Sequence, residues 1–215
     1  MSKPLKTQNT PMIIMFLIWC FSLYLLFLYG FEDFWRDIII LMNELRDKKA
    51  FMVIIAPLLS FVLSSIINAE AKAVLVFWKI KNPLPGTRAF TEICNKDTRI
   101  DIKILKEKIG HIPTDPKQQN YVWYNKIYKK VQENTPVLLA HKNFLLARDL
   151  ASISFLFFLI TPWIIYFVSK DIRYTLLYVL ITFLQYIVLS IVAQNHGKRF
   201  VGNAIADYCS ENIEY

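Results

Sequence analysis

The chain has 215 residues, 55% of them hydrophobic and 15% aromatic, with five glycines and a formal net charge of +8. Soluble globular chains are about 45–50% apolar with glycine counted; here the surplus sits in a few long runs without a charged side chain, separated by lysine-rich segments. That arrangement excludes a disordered chain, a collagen-like repeat, a disulfide scaffold and an ordinary soluble enzyme.

In chain order, residues 12–30 form the first apolar run and 51–69 the second. The third is 150–169 and the fourth 174–194, the last interrupted only by Gln185 and a few hydroxyls. About 20 apolar residues cross a hydrocarbon core of about 30 Å, and backbone groups in lipid must be satisfied within the segment, so each run predicts a membrane-spanning helix. The first run is too long for the apolar core of a signal peptide and no small-residue cleavage site follows it, so it is expected to be retained. The expected fold is all-α: a four-span helical membrane protein with a small helical cytoplasmic domain at 70–149 between spans two and three, and a cytoplasmic tail at 195–215.

Lysine and arginine set the orientation. The 70–149 segment holds 15 of the 25 basic residues, and with both tails that side carries 19 against 6 on the other. The rule that cytoplasmic connections are the basic ones then puts both termini and the middle segment in the cytoplasm. Of the three cysteines, Cys20 falls inside a span and Cys94 and Cys209 in cytoplasmic segments, so none requires an oxidising compartment.

Between spans one and two, Phe34, Trp35, Ile38, Leu41, Met42 and Leu45 recur at helical spacing and predict a short amphipathic helix on the outer membrane face. Span two is expected to continue as a helix to Lys81, until Pro83-Leu84-Pro85-Gly86 breaks it. Asp97 or Thr98 is the expected cap of a short helix ending at Gly110. Asp115-Pro116 and Thr135-Pro136 are start signals for two more helices, the second running without a breaker into span three. Lys170-Asp171-Ile172-Arg173 is short enough to force spans three and four into an antiparallel pair.

No metal-ligand spacing, phosphate loop or nucleophile elbow occurs, so no enzyme, cofactor, metal or small-molecule substrate is expected. Three features carry candidate function. Ser60, Ser64 and Asn68 recur every four residues along span two; such a stripe packs helices closely, or lines a path in a homo-oligomer. Glu70, Lys72, Arg148 and Asp149 fall at the cytoplasmic ends of spans two and three, where they either pair and couple domain to spans or face headgroups and water. Trp123, Tyr124, Lys126, Tyr128, Lys129 and Lys130 combine cations with aromatics, which suits a solvated face, anionic lipid or a nucleic-acid partner.

The succession Pro83-Leu84-Pro85-Gly86, Arg88-Ala89-Phe90, Asp97-Thr98-Arg99-Ile100-Asp101, Gln119-Asn120 with Trp123-Tyr124, and Phe144-Leu145-Leu146 with Arg148-Asp149 resembles the small bacterial inner-membrane proteins of anti-phage defence loci. It resembles in particular the transmembrane effectors encoded beside retron reverse transcriptases, over residues 70–150 and the flanking spans. The resemblance implies a toxic effector restrained by a complex of reverse transcriptase and DNA–RNA hybrid. Its release on infection would permeabilise the inner membrane and arrest the cell. A non-catalytic membrane anchor or sensor that recruits a cytoplasmic partner is the alternative expectation.

Overall fold

The computed structural model describes residues 5–29, 62 and 66–210. Among these residues the regular structure is helical throughout. Three helices are long and apolar enough to cross a membrane: α1 (Thr10–Tyr29), α5 (Thr135–Ser169) and α6 (Ile172–Ser210). They contain the first, third and fourth expected runs. The second run and the expected amphipathic helix at 31–50 lie outside the described residues, apart from the end of the run near Asn68.

That end departs from expectation. The backbone leaves the helix at Ile67–Asn68 and starts again as α2 (Ala69–Phe77), with the Asn68 side chain accepting the Ala71 N–H at 2.8 Å. Asn68 is therefore a helix cap, a role its short amide fills well because it satisfies a donor that the first turn cannot. At the other end α2 stops at Phe77 rather than continuing to Lys81, and Trp78 and Asn82 take left-handed backbone angles.

The chain divides into two compact units. The first comprises Met1–Lys72 with Asp149–Leu189. Here Tyr24, Leu25, Phe27 and Leu28 of α1 pack with Ile165 of α5 and Tyr178 of α6, and Cys20 packs with Ile153 and Phe157. The turn at Lys170–Asp171 is as tight as expected: Lys170 is left-handed and Asp171 caps α6 by accepting the Arg173 N–H at 2.8 Å. Antiparallel pairing follows, with Thr161 opposite Tyr178 and Ser154 opposite Gln185.

The second unit comprises Ala73–Arg148 with Ser190–Tyr215. After the Pro83–Pro85 break the chain winds through tight and wide turns over Pro85–Arg88, Ala89–Ile93 and Cys94–Lys96. It then forms α3 (Ile102–Ile109) and α4 (Pro116–Val122). The cap of α3 is Asp101, which accepts the Lys103 N–H, and not Asp97 or Thr98. Asp97 is engaged elsewhere, by the Arg99 guanidinium. Gly110 closes α3 at φ 78°, and Asp115 caps α4 ahead of Pro116, both as expected. The residues expected to be a tail after 194 are helical to Ser210, and Phe200, Val201, Ala204, Ile205 and Tyr208 are core residues of this unit. Their spacing of four and one is that of a buried helical stripe.

Candidate functional site

The most elaborate feature of the second unit is an aromatic cleft of about 530 Å³. It begins with a local peculiarity of the backbone. Beyond α4 the helix widens over Trp123–Tyr128 into π turns, in which the Lys129 N–H reaches the Tyr124 carbonyl. Bonds from i+5 to i place residues five apart nearly above one another, and Trp123 and Tyr128 are stacked at 5.5 Å. Phe200 of α6 meets both ring faces edge-on at 5.3 Å, and His141 of α5 stacks on Phe200 at 4.4 Å. Such pairs add about 0.5–1.5 kcal/mol each beyond their buried area. The Tyr128 hydroxyl and His141 Nδ1 are 3.0 Å apart. Burial, and then the nearby Arg148, hold His141 down at about 4, and burial raises Tyr128, so at neutral pH this is a bond between two neutral groups.

Gly86 belongs to the cleft's other wall, and Gln119 fixes the irregular stretch that follows Gly86 in the chain. Gly86 presses so closely on α4 that a Cβ there would collide with Asn120 and lie 2.7 Å from the Trp123 ring. Gln119, 1% exposed, accepts the N–H groups of Phe90 and Thr91 at 3.0 and 3.2 Å and donates to the Thr114 carbonyl at 2.8 Å. One amide thereby satisfies three backbone groups of an irregular stretch. The result is a pocket with flat apolar walls and a few amides at its edge, a shape that holds planar organic groups.

The six residues expected to form a partner surface divide. Trp123 is buried in the aromatic stack and Tyr128 is half-buried, which corrects their assignment to an exposed face; the wide turn rotates both toward Phe200. Tyr124, Lys126, Lys129 and Lys130 are exposed. Lys129 lies 5.3 Å over the Tyr124 ring and donates to Asn125, and Lys130 lies 5.4 Å over Tyr208. Phe200 and His141 complete the stack although the sequence reading gave neither a role. The stripe after residue 194 was the available signal for Phe200.

Of the four residues expected to couple domain to spans, Lys72 and Asp149 meet as an ion pair at 2.8 Å, each 5% exposed, within the first unit. Glu70 is exposed on α2, and the Arg148 guanidinium lies 5.8 Å over the Phe144 ring one turn earlier on α5. Of the expected stripe, Ser60 and Ser64 lie outside the described residues and Asn68 is the α2 cap. A polar cluster that the sequence reading left without a role sits in α1, α5 and α6. Gln185 donates to Ser154 Oγ at 3.1 Å and accepts the Trp19 indole N–H at 3.0 Å. A lone amide in an apolar run was its signal, since such groups find partners across helices.

Among the described residues no three His, Cys, Asp and Glu side chains converge as metal ligands would. No protein-family model, curated protein or solved structure matches the chain.

Proposed function

We propose that the chain is a membrane-permeabilising effector of a bacterial anti-phage system, resident in the inner membrane with both termini cytoplasmic. In this reading four spans assemble as a homo-oligomer, and the segment from Glu70 to Asp149 holds a cytoplasmic nucleoprotein such as a retron complex. No catalytic step is needed. The observation that carries the proposal is the buried Lys72–Asp149 pair. Two charges withdrawn from water are costly to hold, and separating them removes the ion-pair contact that offsets this cost, so in this reading the contact serves as a latch. The sequence resemblance supports the same reading.

The test is induction of the chain in a bacterium with membrane potential and propidium uptake as readouts. Asp149→Asn, which breaks the latch, is expected to depolarise cells faster than the unaltered chain, and Ser64→Leu to abolish killing with normal insertion. Intact potential with both the unaltered chain and Asp149→Asn at full expression would sink the proposal.

The second reading, a membrane anchor that recruits a cytoplasmic partner, is favoured by the exposed group Tyr124, Lys126, Lys129 and Lys130. It expects pull-down of a partner to be lost in Tyr124→Ala combined with Lys129→Glu and Lys130→Glu, without any effect on membrane potential.

A further inference from the structure

A second pocket of the second unit, about 330 Å³, is lined by Glu92, Lys96, Asp97, Arg99, Lys198 and Arg199 among others. Four cations face two carboxylates there, and both carboxylates are already engaged. Asp97 takes the Arg99 Nε and Nη2 donors at 2.9 and 2.7 Å and also accepts the Arg99 backbone N–H. The guanidinium beside it holds its carboxyl below the usual range. Glu92 is turned to Arg88 and Lys79 at 3.7 and 3.8 Å. Lys96, Lys198 and Arg199 are exposed and have no carboxylate within ion-pair distance among the described residues.

The same contacts fix the geometry of the one cation that is partnered. Arg99 Nη2 also donates to Asn203 Oδ1 of α6 at 2.9 Å, so both edges that it shares with Asp97 and Asn203 are set. This closeness depends on Gly202, where a Cβ would lie 3.0 Å from Asp97 Oδ2. An arginine has five donors in a rigid fork. Those not directed at Asp97 and Asn203 remain for a ligand, and ordering them costs little because the side chain is already held.

Position along α6 adds a second, independent observation. Lys198 and Arg199 follow the apolar run 174–194 by four and five residues on a continuous helix. At about 1.5 Å per residue that is roughly 6–8 Å beyond the run. The headgroup layer on each side of the hydrocarbon core is about as deep.

We propose that Lys96, Arg99, Lys198 and Arg199 form a binding site for a phosphate group at the membrane border. The chemistry is that of a phosphodiester or phosphomonoester, whose oxygens match a fork of N–H donors flanked by ammonium groups. An anionic phospholipid headgroup and a small soluble phosphate ester share it. This site is separate from the aromatic cleft and from the Tyr124 face.

The test uses the purified full-length chain in detergent, with phosphatidylglycerol binding followed by native mass spectrometry and by the shift in thermal midpoint. Lys198→Glu with Arg199→Glu is expected to weaken phosphatidylglycerol binding roughly tenfold or more. Lys126→Glu with Lys129→Glu, which makes the same change in net charge, is expected to weaken it less than about twofold. Both pairs are exposed, and unchanged helix content and elution volume keep the comparison valid. Glycerol 3-phosphate and inorganic phosphate are added as soluble probes. If they neither bind nor displace the lipid, the headgroup is the ligand; if either binds alone in a Lys198- and Arg199-dependent way, the site takes soluble phosphate. Equal weakening by the two charge-reversal pairs, or no weakening by Lys198→Glu with Arg199→Glu, overturns the proposal.

Discussion

The two units solve the problem of buried polar groups in different ways. In the first unit several hydroxyls turn back on their own helices, and Thr161 does so while also meeting Tyr178 across the helix pair. Thr161 donates to Phe157 O at 2.6 Å, Thr182 to Tyr178 O at 2.8 Å, and Ser169 to Ile165 O at 2.8 Å. In the second unit polar side chains reach across to irregular backbone and to a helix end: Gln119 serves Phe90, Thr91 and Thr114, and Lys108 donates to the carbonyls of Tyr208 and Cys209 in the last turn of α6. A helix crossing lipid cannot leave its ladder without exposing groups that nothing will solvate. The second unit departs from regular helix at Pro85–Lys96, where the Gln119 amide takes up the Phe90 and Thr91 N–H groups, and at Trp123–Tyr128, where wider backbone bonds replace the usual ladder.

The contrast breaks most sharply at the buried Lys72–Asp149 pair. Asp149→Leu or Lys72→Met alone is expected to cost about 3–5 kcal/mol by leaving the other charge buried, while the double change recovers most of that loss. Unfolding of the purified chain in mixed micelles measures both. Next comes Gln119→Leu, which strips partners from two N–H groups and a carbonyl; a loss of about 3 kcal/mol is expected. Hydrogen exchange should then localise the opening to residues 89–93 and leave α1 protected. Gly86→Ala forces the turn away from Asn120 and Trp123 and is expected to cost about 1–3 kcal/mol, with a change in tryptophan fluorescence reporting the altered cleft. Thr161→Val, by contrast, should cost only about 0.6 kcal/mol in the same micelle titration, the ordinary value for a hydroxyl between membrane helices.

A further effect concerns pH. His141 titrates near 4 in the folded chain against an ordinary 6.5. Between those values the unfolded chain takes up a proton that the folded imidazole refuses, so this contribution is complete above about pH 6.5 and declines as pH falls toward about 4. His141→Phe keeps a ring against Phe200 and should flatten the fall in thermal midpoint between pH 7 and 4.5.

Much of the first unit was legible in the sequence, because length without charge is sufficient to predict a membrane-capable helix, and the Lys170–Asp171 turn leaves its neighbours one arrangement. The caps show where legibility ends. Asp115-Pro116 was unambiguous, since the proline fixes the first helical position. Asp97, Thr98 and Asp101 compete within five residues, and the choice falls to Asp101 because Asp97 is taken by Arg99, whose guanidinium also donates to Asn203 of α6, a contact that local spacing does not contain. Asn68 fits equally as a polar stripe residue or as a cap until the backbone break at Ile67–Asn68 is seen. Trp123 reads as a surface aromatic beside lysines at α-helical spacing, and only the wide turn carries it inward to Phe200. The second unit was less legible because its irregular backbone is stabilised by residues distant in the chain.

The wide turn over Trp123–Tyr128 has an evolutionary reading as well. A turn closed from i+5 to i holds one residue more than one closed from i+4, so it absorbs a surplus residue while leaving the helix before and after it in register. A single-residue deletion at Asn125 or Lys126 would therefore be absorbed by reversion to ordinary helix, with Pro116 and Val131 keeping their neighbours. The cost would fall on the Trp123–Tyr128 stack alone. A chain one residue shorter at this point would thus be expected to keep the fold of the second unit and lose the Trp123–Tyr128 wall of the cleft.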